Sequence, residues 1–277
     1  MAEPSVHHWT ASDGVSLAWR EVGEGRPVVL VHGLFSDGVT NWIKFGAAEA
    51  VASRGFRVIM PDLRAHGLSG KPHDPANYPD GILGRDLEEF VGNLGLTDFD
   101  LGGFSLGART TVQAVGEGLK PRRAILAGMG FEGLTGWLRR KDFFLEAVEL
   151  ADTASRGDPH WMAIQFMKTM KVDREAAKLL LPTFTDAQGE WLAAFTMPTM
   201  VLCGTEDHDN GSAEKLAEAL PNAAYQPVPG THMSSVTKPE FGAALAEFLA
   251  ASSPCATIVA PSPHAKKRNV PGRGALP

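Results

Sequence analysis

The chain has 277 residues and a formal net charge of −6, with 44% hydrophobic and 21% charged residues. These values are ordinary for a globular protein of one large domain, and the acidic balance does not favour nucleic acid or an anionic membrane as a partner. No apolar run is long enough to span a membrane, and residues 1–5 lack the features of a secretory signal. The two cysteines, Cys203 and Cys255, are expected to be reduced thiols of a cytoplasmic protein, with Cys203 in the core.

Short apolar runs without polar alternation predict the buried strands of a parallel sheet. They lie at residues 28–31, 57–60, 100–103, 124–127, 199–203 and 225–228, and two antiparallel strands at 7–10 and 15–20 precede them. Segments of helical period lie between the later strands, and the last helix is predicted to begin with a capping box at residues 237–240. The order of the elements predicts an α/β fold, with helices on both faces of a mostly parallel sheet.

One long segment interrupts the alternation of strands and helices. Residues 129–196 have helical patterning and no strand run, so we expect a helical lid (cap) inserted into a core formed by residues 1–128 and 197–251. The composition then changes, since residues 252–277 are rich in Pro, Ser, Ala and Gly. This last segment is predicted to be a disordered tail.

The most informative motif is Gly103-Phe104-Ser105-Leu106-Gly107, a G-x-S-x-G sequence between a predicted strand and a predicted helix. In that context the serine occupies the apex of a sharp turn, where its hydroxyl can act as a nucleophile. Small residues are needed two positions away on either side because a tight turn leaves no room for Cβ atoms. The sequence therefore predicts Ser105 as the nucleophile.

A serine hydroxyl needs a base, and the base needs a group that orients it. His232 follows the last predicted strand, so it should lie at the same sheet edge as Ser105. Asp207 comes just after the strand at 199–203 and is predicted to orient His232. Glu206 and Asp209 remain its competitors.

An oxyanion hole requires two backbone N–H donors near the nucleophile. The N–H of Leu106, directly after the serine, is one candidate, and the loop that follows the strand at 28–31 should supply the other. Leu34 is predicted there, with Phe35 as the second choice. His32 in the same loop is interpreted as a structural hydrogen-bonding residue.

Together, the ordered motifs resemble the α/β-hydrolase fold family, and in particular its serine esterases, over about residues 5–128 and 197–251. The resemblance implies that Asp62–Ser69 is a structural loop in which Arg64 and His66 support the backbone. The family usually has glycine where this chain has Ala65, which implies a local backbone that tolerates a Cβ atom.

The resemblance also limits the activity. Relatives that are dehalogenases or epoxide hydrolases have an aspartate, and dienelactone hydrolases a cysteine, where this chain has Ser105. What remains is a serine hydrolase that cleaves carboxylic esters of small to medium apolar substrates through an acyl-enzyme. A C–C bond hydrolase of ring-cleavage diketones, a perhydrolase or lactonase, and a non-catalytic ligand-binding protein on the same fold are the alternatives.

A substrate pocket between lid and sheet should be apolar. Its candidate residues are aromatic or methionine side chains, namely Phe35, Phe104, Phe131, Trp137, Trp161 and Met233. The basic run at 139–141 is interpreted as a solvated helix face, with a site for an anionic substrate as the alternative. No metal or nucleotide cofactor is expected, because no matching ligand spacing or glycine fingerprint occurs. The expected partner is a small-molecule ester, and a homo-oligomer is left open.

Overall fold

The computed structural model describes residues 4–251, and within them eight strands form one sheet. The strands are β1 Val6–Thr10, β2 Ser16–Val22, β3 Arg26–Val31, β4 Phe56–Pro61, β5 Asp100–Phe104, β6 Ala124–Ala127, β7 Thr199–Gly204 and β8 Ala223–Val228. Their order in the sheet is β1-β2-β4-β3-β5-β6-β7-β8. The pairs β1–β2 and β2–β4 are antiparallel and the others parallel, which confirms the predicted α/β fold.

Helices connect the strands and cover both faces of the sheet. They are α1 Ala47–Ala52, α2 Ile82–Asn93, α3 Leu106–Gly116, α4 Phe131–Thr135, α5 Trp137–Glu149, α6 Trp161–Thr169, α7 Arg174–Leu180, α8 Gly189–Ala193, α9 Ala213–Ala219, α10 His232–Ser235 and α11 Pro239–Ala250. A short π-helical turn, Val39–Ile43, follows the loop after β3.

The central strand β3 shows why the strands have continuous apolar sequences. Val28 and Leu30 point into the core that includes residues of α1 and α11, whereas Val29 and Val31 point into the core that includes residues of α2 and α3. All four side chains are fully buried. Because both faces are covered, neither half of the alternating side chains needs to be polar.

The chain between β6 and β7 is helical throughout its regular structure, from α4 to α8. Its buried side chains, such as Leu134 and Ile164, join the same hydrophobic core as Leu101 and Leu126 of the sheet. The segment is therefore packed onto one sheet face and does not have a separate core. Its role as a lid, with the division at residues 129–196, stays a prediction.

The predicted capping box at the start of the last helix is wrong. The N-cap of α11 is Lys238, which makes no capping hydrogen bond through its side chain, although Pro239 does occupy the first turn as expected. Thr237 Oγ1 instead donates to the carbonyl oxygen of Ser234, 2.7 Å away at the end of α10. The threonine thus completes the preceding short helix and does not cap the following one.

The loop after β4 is held by buried polar contacts, as the resemblance implied. The fully buried guanidinium of Arg64 makes two bonds to Asp86, of 2.9 and 2.7 Å, and one of 2.6 Å to Asp13. Ser69 Oγ accepts the N–H of Ala18 at 2.9 Å. These bonds attach the loop to the antiparallel strand β2 and to the helix α2.

The backbone at Ala65 differs from the expectation. Its φ is +65°, in the left-handed region that favours glycine, so the loop keeps the glycine conformation although the residue has a Cβ atom. The bonds of the surrounding loop outweigh this local cost. Residues 252–277, with the predicted tail and Cys255, lie outside the described residues. Within the described range, none of the helices has both the length and the apolar character needed to cross a membrane.

Candidate active site

Ser105 occupies the turn between β5 and α3, with φ 53° and ψ −110°. This strained conformation is uncommon for a residue with a side chain. A Cβ atom on Gly103 would lie 2.2 Å from the carbonyl carbon of Gly107, and one on Gly107 would lie 2.1 Å from the carbonyl oxygen of Val31. Both glycines of the motif are therefore required by close backbone packing around the serine.

Three side chains from different sheet connections form one hydrogen-bonded chain. His232, the first residue of α10, places Nε2 3.1 Å from Ser105 Oγ and Nδ1 2.9 Å from Asp207 Oδ2. Asp207 follows β7 and His232 follows β8, so the carboxyl ends of parallel strands bring them to Ser105. The structure thus brings together the predicted serine, histidine and aspartate. The competitors Glu206 and Asp209 are both exposed and make no bond to His232 within residues 4–251.

The environment of Asp207 favours its ionised form. Burial alone would raise the pKa of Asp207, but the hydrogen bond and charge of His232, with the N–H of Asp209, outweigh burial and hold this pKa below its usual value. An ionised carboxylate only accepts hydrogen bonds, so His232 Nδ1 carries the proton and Nε2 is free to accept one from Ser105.

A contact to Asp207 that the sequence did not reveal comes from Cys203. Its Sγ lies 3.5 Å from Asp207 Oδ2, and burial, followed by the charge of Asp207, raises the pKa of Cys203 to about 12. The thiol is therefore neutral and can donate a hydrogen bond to the carboxylate. Cys203 is buried, which agrees with its prediction as a core residue.

The loop after β3 is oriented by His32. Its Nε2 accepts the N–H of Leu63 at 2.9 Å, so Nδ1 donates to the carbonyl oxygen of Gly33 at 2.8 Å. Since C=O and N–H point in opposite directions across a trans peptide, the N–H of Leu34 points away from His32. This confirms the structural interpretation of His32.

Two backbone N–H groups next to Ser105 are free to bind a ligand atom. Leu106 is the first residue of α3, so its N–H has no partner within the helix. Neither this N–H nor that of Leu34 has a hydrogen-bond acceptor in the described part of the chain. Their placement is compatible with the predicted oxyanion hole.

Ser105 borders two cavities. The first, here the His232 cavity, has a volume of about 210 Å³ and includes Phe45, Phe104, Phe166, His232, Met233 and Val236 in its lining. The second, here the Trp137 cavity, has a volume of about 40 Å³ and includes Leu34, Leu106, Trp137, Arg140, Phe144 and Phe184. A possible ligand would thus meet a wide cavity on one side of the serine and a narrow one on the other.

The predicted pocket residues divide between these cavities and the core. Phe104 and Met233 border the His232 cavity, and Trp137 borders the Trp137 cavity. Phe131 and Trp161, at the starts of α4 and α6, are half-buried and border neither of these two cavities.

Phe35 also borders neither of these two cavities. It is buried, has a left-handed φ of 60°, and packs edge-on against Phe144 with ring centroids 6.2 Å apart. Its aromatic ring therefore supports the wall of the Trp137 cavity from behind.

The interpretation of residues 139–141 as a solvated helix face is wrong for Arg140. Arg139 is exposed, but Arg140 is half-buried, borders the Trp137 cavity and donates a hydrogen bond to Asn210 Oδ1. The sequence run alone could not show this, because the position of α5 relative to the sheet decides which side chain turns inward.

Among the described residues, one group of three side chains could bring ligand atoms close enough for a metal ion. It consists of Asp207, Asp209 and His232, whose ligand atoms lie within 4.8 Å of one another. Asp207 and His232 already bind each other, so a metal ion would have to replace the hydrogen bond that orients the histidine.

The fold and this geometry define an alpha/beta hydrolase. The family model of the alpha/beta hydrolase fold matches residues 26–124, which contain β3 to β6 and the Ser105 turn. The chain therefore has the alpha/beta hydrolase fold, and its sequence is similar to that family over residues 26–124.

Individual relatives have different activities. A non-heme haloperoxidase of Rhodococcus erythropolis is 27% identical over 261 residues, covering 80% of this chain and 90% of that protein. A 2-hydroxy-6-oxo-2,4-heptadienoate hydrolase of Pseudomonas putida is 34% identical over 116 residues, 42% of this chain and 41% of that protein. The structure of an esterase from Thermogutta terrifontis superposes with a TM-score of 0.70 at 24% identity, covering 90% of this chain and 98% of that one. These three proteins share the fold, but each catalyses a different reaction.

Proposed function

We propose that the protein is a serine hydrolase that cleaves carboxylic esters of small to medium apolar substrates through an acyl-enzyme. The observation that carries the proposal is the hydrogen-bonded chain from Ser105 Oγ through His232 to Asp207, with distances of 3.1 and 2.9 Å. This arrangement activates a serine hydroxyl and has little other purpose at a strained turn.

The first half of the reaction forms the acyl-enzyme. Ser105 Oγ attacks the ester carbonyl carbon while His232 Nε2 accepts its proton, and Asp207 stabilises the resulting imidazolium. The N–H groups of Leu34 and Leu106 bind the oxyanion, each worth roughly 3–4 kcal/mol of transition-state stabilisation. The carbon–oxygen bond to the alcohol then breaks, and His232 returns the proton to the leaving oxygen.

The second half uses the same groups on water. His232 Nε2 removes a proton from a water molecule as its oxygen attacks the acyl carbon. The bond to Ser105 Oγ breaks, the serine regains its proton from His232, and the carboxylic acid leaves. The scheme uses the side chains of Ser105, His232 and Asp207 and the backbone N–H groups of Leu34 and Leu106.

The test combines labelling with turnover. A fluorophosphonate should label the chain at Ser105, and a p-nitrophenyl ester series of increasing acyl length should be hydrolysed, with short acyl groups preferred because the Trp137 cavity is small. Ser105→Ala should abolish labelling and reduce turnover by several orders of magnitude. Ser36→Ala, which removes another buried hydroxyl near the site, is the matched control. Full activity of Ser105→Ala would falsify the proposal.

A second activity is favoured by a relative that matches 80% of the chain, the non-heme haloperoxidase. Hydrogen peroxide in place of water would attack the same acyl-enzyme and release a peroxy acid. We expect peroxide to lower the yield of carboxylic acid and produce peroxy acid in proportion, measured by oxidation of added bromide. The ring-fission diketone substrate of a C–C hydrolase belongs in the same panel, because one partial relative has that activity.

A further inference from the structure

The Trp137 cavity contains two arginines in an otherwise largely apolar lining. Arg109 is occupied, because its guanidinium donates to the carbonyl oxygens of Thr185 at 2.6 Å, of Leu134 at 3.3 Å and of Gly133. It therefore connects α3 to the helical segment. Arg140 differs in this respect, since its recorded hydrogen bond goes to Asn210 Oδ1 alone.

Arg140 has no carboxylate beside it that would serve as a counter-ion in the described chain. No carboxylate lies within 4.0 Å of its guanidinium in the described chain, although Asp207 and Asp209 act on it from farther away. Its position in the first turn of α5 also places a cation at the helix end that disfavours positive charge. The ring of Phe144, whose centroid lies 5.8 Å from the guanidinium carbon, stabilises the cation in part, but a half-buried cation at this helix end still favours pairing with an anion.

The reaction geometry decides which part of a substrate meets Arg140. His232 has to protonate the leaving alcohol, so the alcohol lies on the side of Ser105 that His232 borders, in the His232 cavity. The acyl group then occupies the other side. That side is the Trp137 cavity, which Leu106 and Arg140 border and His232 does not, while Leu34 borders both cavities.

Resting on the serine-hydrolase mechanism of the proposed function, but with an anionic acyl group in place of an apolar one, we propose that the acyl group ends in a carboxylate that Arg140 binds. The substrates would then be half-esters of short dicarboxylic acids. The volume of about 40 Å³ holds roughly three water-sized groups, which suits a chain of the length of succinate. The indole N–H of Trp137, buried and without a hydrogen-bond partner in the described chain, is available as a second donor. A carboxylate bound by a guanidinium and an N–H satisfies both groups.

The test compares two esters that differ only at the end of the acyl chain. Benzyl hemisuccinate and benzyl butyrate share the alcohol and the acyl carbon count, and release of benzyl alcohol measures kcat/KM for each. We expect the full chain to prefer the hemisuccinate, and Arg140→Gln to lower the ratio of the two kcat/KM values by about 10- to 100-fold. Arg139→Gln, which removes an exposed charge from the same helix, should leave the ratio unchanged.

A positioning role of Arg140 through Asn210 would give a different result, because it would reduce both kcat/KM values equally and leave the ratio unchanged. That result, or a preference of the unmodified chain for butyrate, overturns the inference while the proposed function stands. A further measurement does not need turnover: succinate should slow fluorophosphonate labelling of Ser105 more than butyrate does, and Arg140→Gln should remove the difference. Equal protection by both acids overturns the inference, and absence of labelling overturns the proposed function with it.

Discussion

Two buried histidines beside the candidate site predict a steep loss of stability in mild acid. His32 and His66 lie in the loops after β3 and β4 with ring centroids 5.1 Å apart. Burial lowers the pKa of His32 from 6.5 to about 4, and burial together with the charge of His32 lowers the pKa of His66 to about 3. Protonation of His32 would also break its bond from the N–H of Leu63.

The magnitude follows from the number of protons bound. A histidine whose pKa is lowered by folding contributes stability that is present above pH 6.5 and is lost as the pH falls, because the unfolded chain binds the proton first. Between about pH 6 and pH 4.5 the unfolded chain binds about 1.5 to 1.8 more protons on His32 and His66 than the folded chain. The free energy of unfolding should therefore decrease by about 2 to 2.5 kcal/mol per pH unit from these two residues.

The assay is urea unfolding at several pH values between 7.5 and 4.5. Buried carboxylates with raised pKa, among them Asp62 and Asp86, change the pH slope of the unfolding free energy in the opposite direction. The slopes are therefore compared between variants that keep these carboxylates. His66→Gln should reduce the pH slope of the unfolding free energy by about 1 to 1.3 kcal/mol per unit. His8→Gln controls for the loss of an exposed histidine. Equal slopes for His66→Gln and the unmodified chain would refute the reasoning.

Three further predictions concern the backbone and the acid of the site. Ala65→Gly should change the unfolding free energy by less than about 1 kcal/mol in either direction, because relief of the left-handed φ offsets the entropy cost of ordering a glycine. The control Ala108→Gly, in the helix α3, should lower the unfolding free energy by about 1 kcal/mol or more. Thermal or urea unfolding measures both changes. Gly107→Ala would place a methyl group 2.1 Å from a carbonyl oxygen of β3 and should abolish ester turnover or soluble expression. In the control Gly92→Ala the new methyl group meets no atom within 4 Å, so this change should stabilise the chain by up to about 1 kcal/mol. Asp207→Asn should lower kcat for p-nitrophenyl acetate by about 10⁴-fold with little change in Tm, and a loss of less than tenfold would argue against its orienting role.

Features set by local sequence were predictable. Apolar runs such as 28–31 and 199–203 became strands because their side chains are buried on both sheet faces. The meeting of Ser105, Asp207 and His232 also followed from local rules, since each residue stands directly after a predicted strand and parallel strands end at one edge. Chain order alone therefore placed the polar groups of the candidate site.

Features set by the packing of distant segments were not predictable. The left-handed φ of Ala65 depends on loop bonds to β2 and α2, and no local signal distinguishes it from an ordinary alanine. Phe131, Trp161 and Trp137 are all aromatic residues in helices of the segment between β6 and β7. Of these three, Trp137 alone borders a cavity that Ser105 also borders. Which aromatic residue faces the serine depends on how the helical segment lies on the sheet.

A signal for Arg140 was nevertheless present in the sequence. Trp137, Arg140 and Phe144 are spaced by three and four residues, so a helix places them on one face, and all three border the cavity next to Ser105. A cation inside an aromatic stripe contradicts the pattern of a purely structural helix, whereas the exposed Arg139 does not. The stripe contains both the apolar lining and the charge, so the selectivity of the site for its acyl group should depend on α5 more than on the sheet that carries the serine.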